Sequence, residues 1–442
     1  MFGRRLLILL VLLGLLAIPA GALRAACVGR SCAVEVGSVR VPFCPLPAAL
    51  RADLVAGFRE GRSPDVLAVA RTPTVRGATR DPGVAPPWPF LTTRPDTSVP
   101  IVFAGTGVDP AAVVPGGTGL DQIAPTLADV IGFRRPHPEV RAGVAVRGVA
   151  DGAHPRLILE IAWKGVGRAD LRSAPDAWPF LSSLLRTGAG TLDGTTGSLP
   201  LDPTATLTTI GTGGLPSQHG ITGTLVRDKR GKVVTAWGRG SPLSVIATLP
   251  DDLDQRENQA SKIGLVATDP SDRGLTGGNW YLGHDHDAFV TASGPGAVTA
   301  ASGLLASGFG RDRVPDVLAV VLDGSIRSMD LRTRQIVVAA REASAGSVVV
   351  AVAGSGSAAA HRGADVRVAD VVAKVETAVP GDIDVVTGAV PGGLFLNQDA
   401  LTSLGITGQA AVQALLDVEA PDGSKLFDDA FQGFAVSFAR YC

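Results

Sequence analysis

The chain has 442 residues, 45% of them hydrophobic and 18% charged, with 40 basic against 41 acidic side chains. A formal charge of −1 excludes the basic field that nucleic-acid binding needs, and 55 glycines and 31 prolines scattered without a period exclude a collagen-like or linker-like chain. What remains is a globular α/β body with enough apolar residues for a large core.

At the start, Arg4-Arg5 precede the apolar run Leu6–Ala20, and small residues lead to Ala25-Ala26-Cys27. A basic start, a short apolar core and a small-residue exit over 1–26 read as a secretory signal peptide, or as an uncleaved N-terminal anchor. Both place the chain outside the cytoplasm, secreted or in the cell envelope, and let it meet a membrane only through this segment. Arg24 stands where a lipoprotein signal needs an aliphatic residue. Cys27, Cys32, Cys44 and Cys442 lie outside the signal, an even number that suits two disulfides and permits three pairings. Each full pairing ties the last residue to the N-terminal segment, and the absence of a Cys-x-x-Cys pair argues against a zinc knuckle.

Further along, Gly116–Gly119 reads as a loop leading to an N-cap before Asp121. Arg156–Ala162 is a buried strand ending at Trp163-Lys164-Gly165, and Pro179–Arg186 has helical spacing that stops at Gly188. A hydroxyl-rich helix begins near Thr204. Lys262–Thr268, Asp316–Leu322 and Ser347–Ala353 are further strands, with a helical pattern from Ser328 to Ala343. Continuous apolar strands alternating with helices predict an α/β fold with a mostly parallel central sheet covered by helices on both faces.

The richest stretch runs from Leu199 to Gly223. Threonines follow Pro203, the helical pattern breaks at Thr212-Gly213-Gly214, and the segment closes with Leu215-Pro-Ser-Gln-His-Gly-Ile221. It resembles the nucleophile region of the alkaline phosphatase superfamily, in its type I phosphodiesterase and nucleotide pyrophosphatase branch. Asp121–Gly132 resembles the family's closing Ala-Pro-Thr-Leu-Ala helix, Val99–Gly107 its Val-Pro strand, and Gly61–Leu67 its Arg-Ser-x-Asp-Val strand. The family's last section thus stands first here. The resemblance implies a circular permutant, with 27–148 as the family's C-terminal section and 149–442 as its N-terminal and middle sections, together forming one body over 27–442.

The resemblance also implies where chemistry belongs. Thr204 matches the nucleophile, with Thr206 second, at a helix N-terminus suited to a phosphate. Thr204 could equally serve only to cap the helix, a role that Asp202 can supply as well. Family enzymes hold two metal ions, usually zinc, on about six Asp or His ligands. Lys164 replaces the first aspartate, Gly354-Ser355-Gly356 replaces Asp-His-Gly, and Asp323 keeps a carboxylate where a later ligand is expected. His284 and His286, alternating in His-Asp-His-Asp, form the only dense group of ligand types. Lys164 and Thr206 are candidates to bind an anion, and His219 reads as part of a structural turn. The leading expectation is a metal-depleted, non-catalytic descendant that binds a small anionic ligand or a cell-envelope protein. An active phosphodiesterase-type hydrolase with an atypical zinc site, and a structural envelope protein, are the alternatives.

Overall fold

The computed structural model describes the backbone of 25–28 and 31–34, and residues 43–442 apart from 72–89, 279, 282–287, 358–365, 380–382, 391 and 421. It divides into two units, Met1–Pro42 and Phe43–Cys442. In the first, β1 (Ala25–Val28) and β2 (Ser31–Val34) pair antiparallel with Cys27 opposite Cys32. The signal or anchor assigned to 1–26 lies almost wholly outside the described residues. Among the described residues no helix is long and apolar enough to cross a membrane.

The strands of the second unit begin with β3 (Val66–Ala70), β4 (Ser98–Gly105), β5 (Leu157–Trp163), β6 (Ala189–Thr195), β7 (Leu225–Arg227) and β8 (Val233–Thr235). They continue with β9 (Ile263–Ala267), β10 (Ala288–Thr291), β11 (Asp316–Leu322), β12 (Val348–Gly354), β13 (Val386–Val390), β14 (Gly393–Leu396) and β15 (Phe427–Gln432). Seven of them form a sheet in the order β10-β9-β11-β5-β12-β4-β6. The first five are mutually parallel, while β4 runs antiparallel to both β12 and β6. Every residue of β5, β9, β11 and β12 is buried, because helices cover both faces. Helices Ile123–Val130, Pro203–Thr212 and Leu249–Arg256 pack on one face. Helices Pro179–Thr187, Pro295–Ala306 and Ile326–Ala343 pack on the other.

Most expected elements lie within a residue or two of the observed ones, but the strand expected over Gly61–Leu67 is observed as Val66–Ala70, further along the apolar run. The helix expected from Ser328 starts at Ile326, because the Ser325 hydroxyl accepts from Ser328 N and caps it. Between the Gly116–Gly119 loop and the Ile123–Val130 helix lies a 3-10 turn, Leu120–Gln122, whose Gln122 amide oxygen accepts from Gly119 N at 3.0 Å.

Residues from the two ends of the unit interleave. In a second, antiparallel sheet of order β13-β14-β3-β15, the early strand β3 lies between two late ones. The early strand β4 likewise fills the place between β12 and β6. Cys44 and Cys442, 398 residues apart, form a disulfide, which selects one partner for the last residue.

Candidate functional site

The Pro203–Thr212 helix is the site's frame. Pro203 occupies its first turn, Asp202 caps it, and Gly213 ends it in the left-handed region at φ 73°. All ten residues are buried, five of them threonines. Burying hydroxyls is tolerable only if each finds a partner. Thr208 donates to Thr204 O at 2.7 Å and Thr212 to Thr208 O at 2.6 Å, folding both hydroxyls back onto the helix. Thr206 donates to the carbonyls of Asp202 and Pro203. Thr209 Oγ1 meets His219 Nε2 at 3.1 Å, and His219 Nδ1 accepts from Ile221 N. Burial, followed by the charges of Arg59 and Arg62, lowers the His219 pKa to about 3, so the imidazole is a neutral element of the turn. Gly211 lets the helix lie on the Pro270–Leu275 turn, since a Cβ there would stand 2.4 Å from the carbonyl oxygens of Gly274 and Leu275.

At the helix N-terminus the free amides already have an acceptor. The Asp202 carboxylate accepts from Thr204 N at 2.9 Å, from Ala205 N at 3.4 Å, and from Thr224 N and Oγ1 at 2.8 and 3.1 Å. Burial raises its pKa, and these hydrogen bonds oppose the rise. Thr204, fully buried, shares a 3.1 Å hydroxyl contact with Thr224. Beside it a cavity of about 20 Å³, lined by Leu54, Leu199, Leu201, Asp202 and Thr222, has room for about one water. The Thr222 hydroxyl there has no hydrogen-bond partner among the described residues.

The second part lies at the carboxyl ends of the parallel strands, where open α/β sheets carry their ligands. Just past β5, Lys164 Nζ donates to Asp272 Oδ1 at 2.6 Å and to Thr268 Oγ1 at 3.2 Å. Asp272, fully buried, also accepts from the amides of Thr268 and Asp269. Next to it Ser355 Oγ accepts from Gly165 N. Asp323, just past β11, is half-buried, and its backbone carbonyl accepts from Arg332. Among the described residues no hydrogen bond links Lys164 to Thr204, Thr206 or Asp323, so the geometry gives these candidates separate partners. Nor is any group of three or more His, Cys, Asp or Glu placed to hold a metal among the described residues. His284 and His286 lie outside them.

Two features of this core were not read from the sequence. Arg135 and Arg141 both donate to Thr212 O, at 2.8 and 3.0 Å, and both pair with Asp252. They place cations at the C-terminus of the threonine helix, where its dipole favours them. Burial lowers the Arg135 pKa to about 10, against the attraction of Asp252. Nothing in Phe133-Arg-Arg-Pro136 signals this role. Glu160 had one available signal, a lone carboxyl in the run Leu-Ile-Leu-Glu-Ile-Ala. It sits mid-strand in β5, in register with Ala319 and Ala351, and neither carboxyl oxygen has a hydrogen-bond partner. Burial pushes it up to about 8, against the opposing charge of Arg135, so it holds its proton at neutral pH.

No protein-family model and no curated protein matches the sequence. Among solved structures the fold is similar to the wild-type alkaline phosphatase PafA, at 15% identity and a TM-score of 0.45, over 63% of this chain and 84% of that one.

Proposed function

We propose that the chain is an exported, non-hydrolytic binding protein, a circularly permuted relative of the alkaline phosphatase superfamily. The resemblance rests on the 199–223 and 99–132 motifs. The interleaving of β3 and β4 with late strands and the Cys44–Cys442 link support the permutation, because the present ends of a permuted chain were once continuous and so lie close together. One observation carries the non-hydrolytic reading: the Asp202 carboxylate occupies the helix amides that a phosphoryl group would need. A phosphate entering there would find the amides of Thr204 and Ala205 already bonded to Asp202, and Thr204 would attack from a hydroxyl already bonded to Thr224. Lys164, paired with Asp272, acts in this reading as a fixed cation in place of a lost one. The small anion or envelope protein that the chain binds is then held elsewhere on its surface.

The test is turnover of bis-p-nitrophenyl phosphate by the purified chain in zinc-containing buffer. The expected result is no hydrolysis above the buffer blank. Zinc-dependent turnover that disappears in Thr204→Ala would overturn the proposal and establish the hydrolase.

A further inference from the structure

On the face of the main sheet opposite the threonine helix, two helices frame an open cleft of about 430 Å³. Its walls are Ala177, Pro179 and Phe180 on one side and Arg327, Leu331 and Arg334 on the other. Arg327, Leu331 and Arg334 stand at i, i+4 and i+7 of the Ile326–Ala343 helix, so they form one stripe, with Leu331 between two guanidinium groups. Leu331 is 54% exposed. The stripe continues through the exposed Val338 to Arg341.

The charge balance of the cleft is one-sided. Its single acid, Asp330, is buried and turned into the protein, where its two oxygens accept from Phe180 N at 3.0 Å and Leu181 N at 2.8 Å. It thereby caps the Pro179–Thr187 helix rather than neutralising the arginines. Arg327 makes one long contact, 3.4 Å to the Asp176 carbonyl, and Arg334 forms no ion pair among the described residues. Guanidinium forks match carboxylate and phosphate oxygens, and an apolar wall of Pro179, Phe180 and Leu331 matches a hydrocarbon. The volume falls in the range of small-molecule sites, roughly 300–1,000 Å³.

We propose that this cleft binds a free amphiphilic anion, a single carboxylate or phosphate head held by Arg327 and Arg334 with one alkyl tail laid over Leu331, Phe180 and Pro179. The site is independent of the Asp202 reading, since a hydrolytic chain would carry the same cleft. It gives the binding role a ligand class: a soluble single-chain acid or phosphate ester.

The experiment is titration calorimetry of decanoate, below its micellar concentration, into the full chain. Saturable 1:1 binding is expected, weakened at least tenfold in Arg334→Glu, in Arg327→Glu and in Leu331→Glu. All three positions are exposed, so their thermal melts should match the parent and separate lost binding from lost folding. Decyl phosphate should bind like decanoate, while inorganic phosphate and decanol should each bind at least tenfold more weakly. Absence of binding, affinity unchanged by charge reversal, or inorganic phosphate binding as tightly as decanoate would overturn the assignment. So would association with phosphatidylglycerol vesicles without binding of free decanoate, which would make the stripe a membrane-facing surface instead.

Discussion

Two buried carboxyls, one at the mouth of the threonine helix and one in the middle of the sheet, were treated by the fold in opposite ways. Asp202 receives four hydrogen bonds, three from backbone amides and one from the Thr224 hydroxyl. Among the described residues Glu160 receives none, and its register neighbours Ala319 and Ala351 have no polar side chain to offer. Burial raises the pKa of both, yet only Asp202 has donors that favour its charged form. The lesson is that burial alone does not define a buried carboxyl's role; the donors around it do. Asp202 organises a helix terminus, whereas Glu160 is a protonated acid held in apolar surroundings.

The largest effect should come from deleting the satisfied group. Asp202→Ala removes the cap and orphans the Thr224 amide inside the protein, a loss of about 4 kcal/mol from the cap and the unsatisfied donor together. Denaturant unfolding should show it directly, and a loss under about 1 kcal/mol would mean that these hydrogen bonds do not hold the segment.

Glu160 should behave in the reverse sense. Below its ordinary value of 4.5 the carboxyl is protonated in both folded and unfolded chains. As pH rises from there to about 8, the unfolded chain releases the proton and the folded one keeps it, so folding loses stability through that window. Glu160→Met should therefore stabilise the chain more at pH 8.5 than at pH 4.5, by about 4 kcal/mol in the difference. Equal gains at both pH values would show that Glu160 ionises normally in the folded state.

Lys164 and Asp272 supply the intermediate case, a buried carboxylate with both amide donors and a cation. The lysine side chain is 18% exposed, so solvent weakens the pair, and Lys164→Met should cost about 2 kcal/mol. Pairing it with Asp272→Asn should recover part of that loss in a double-mutant cycle. Strict additivity of the two single changes would show that the ammonium and carboxylate are not coupled.

Much of the framework was legible because it rests on local signals. β11 has the bounds its apolar run gives, Asp316–Leu322, and β5, β9 and β12 differ by a residue or so at their ends. The threonine helix was readable from Pro203 and from the Thr212-Gly213 stop, and Asp202 was recognisable as an alternative cap. Asp269-Pro-Ser-Asp272 carries a capping pattern that could have flagged Asp272, although not its partner 108 residues away. The pairing of the second sheet was not legible, because β3 and β15 meet only in space, Ala70 facing Phe427 and Val66 facing Gln432 from opposite ends of the unit.

By itself, then, the sequence determined the parallel strands, the helices between them and the hydroxyl-rich segment, since apolar runs, caps and glycine stops act over a few residues. Tertiary structure alone decided which charges meet. It gave Asp202 to Thr224, Lys164 to Asp272, both buried arginines to the end of the threonine helix, and Glu160 no hydrogen-bond partner among the described residues. The physical reason is that a side chain's protonation and reactivity follow from its neighbours in space and the water they exclude, and spacing along the chain records neither.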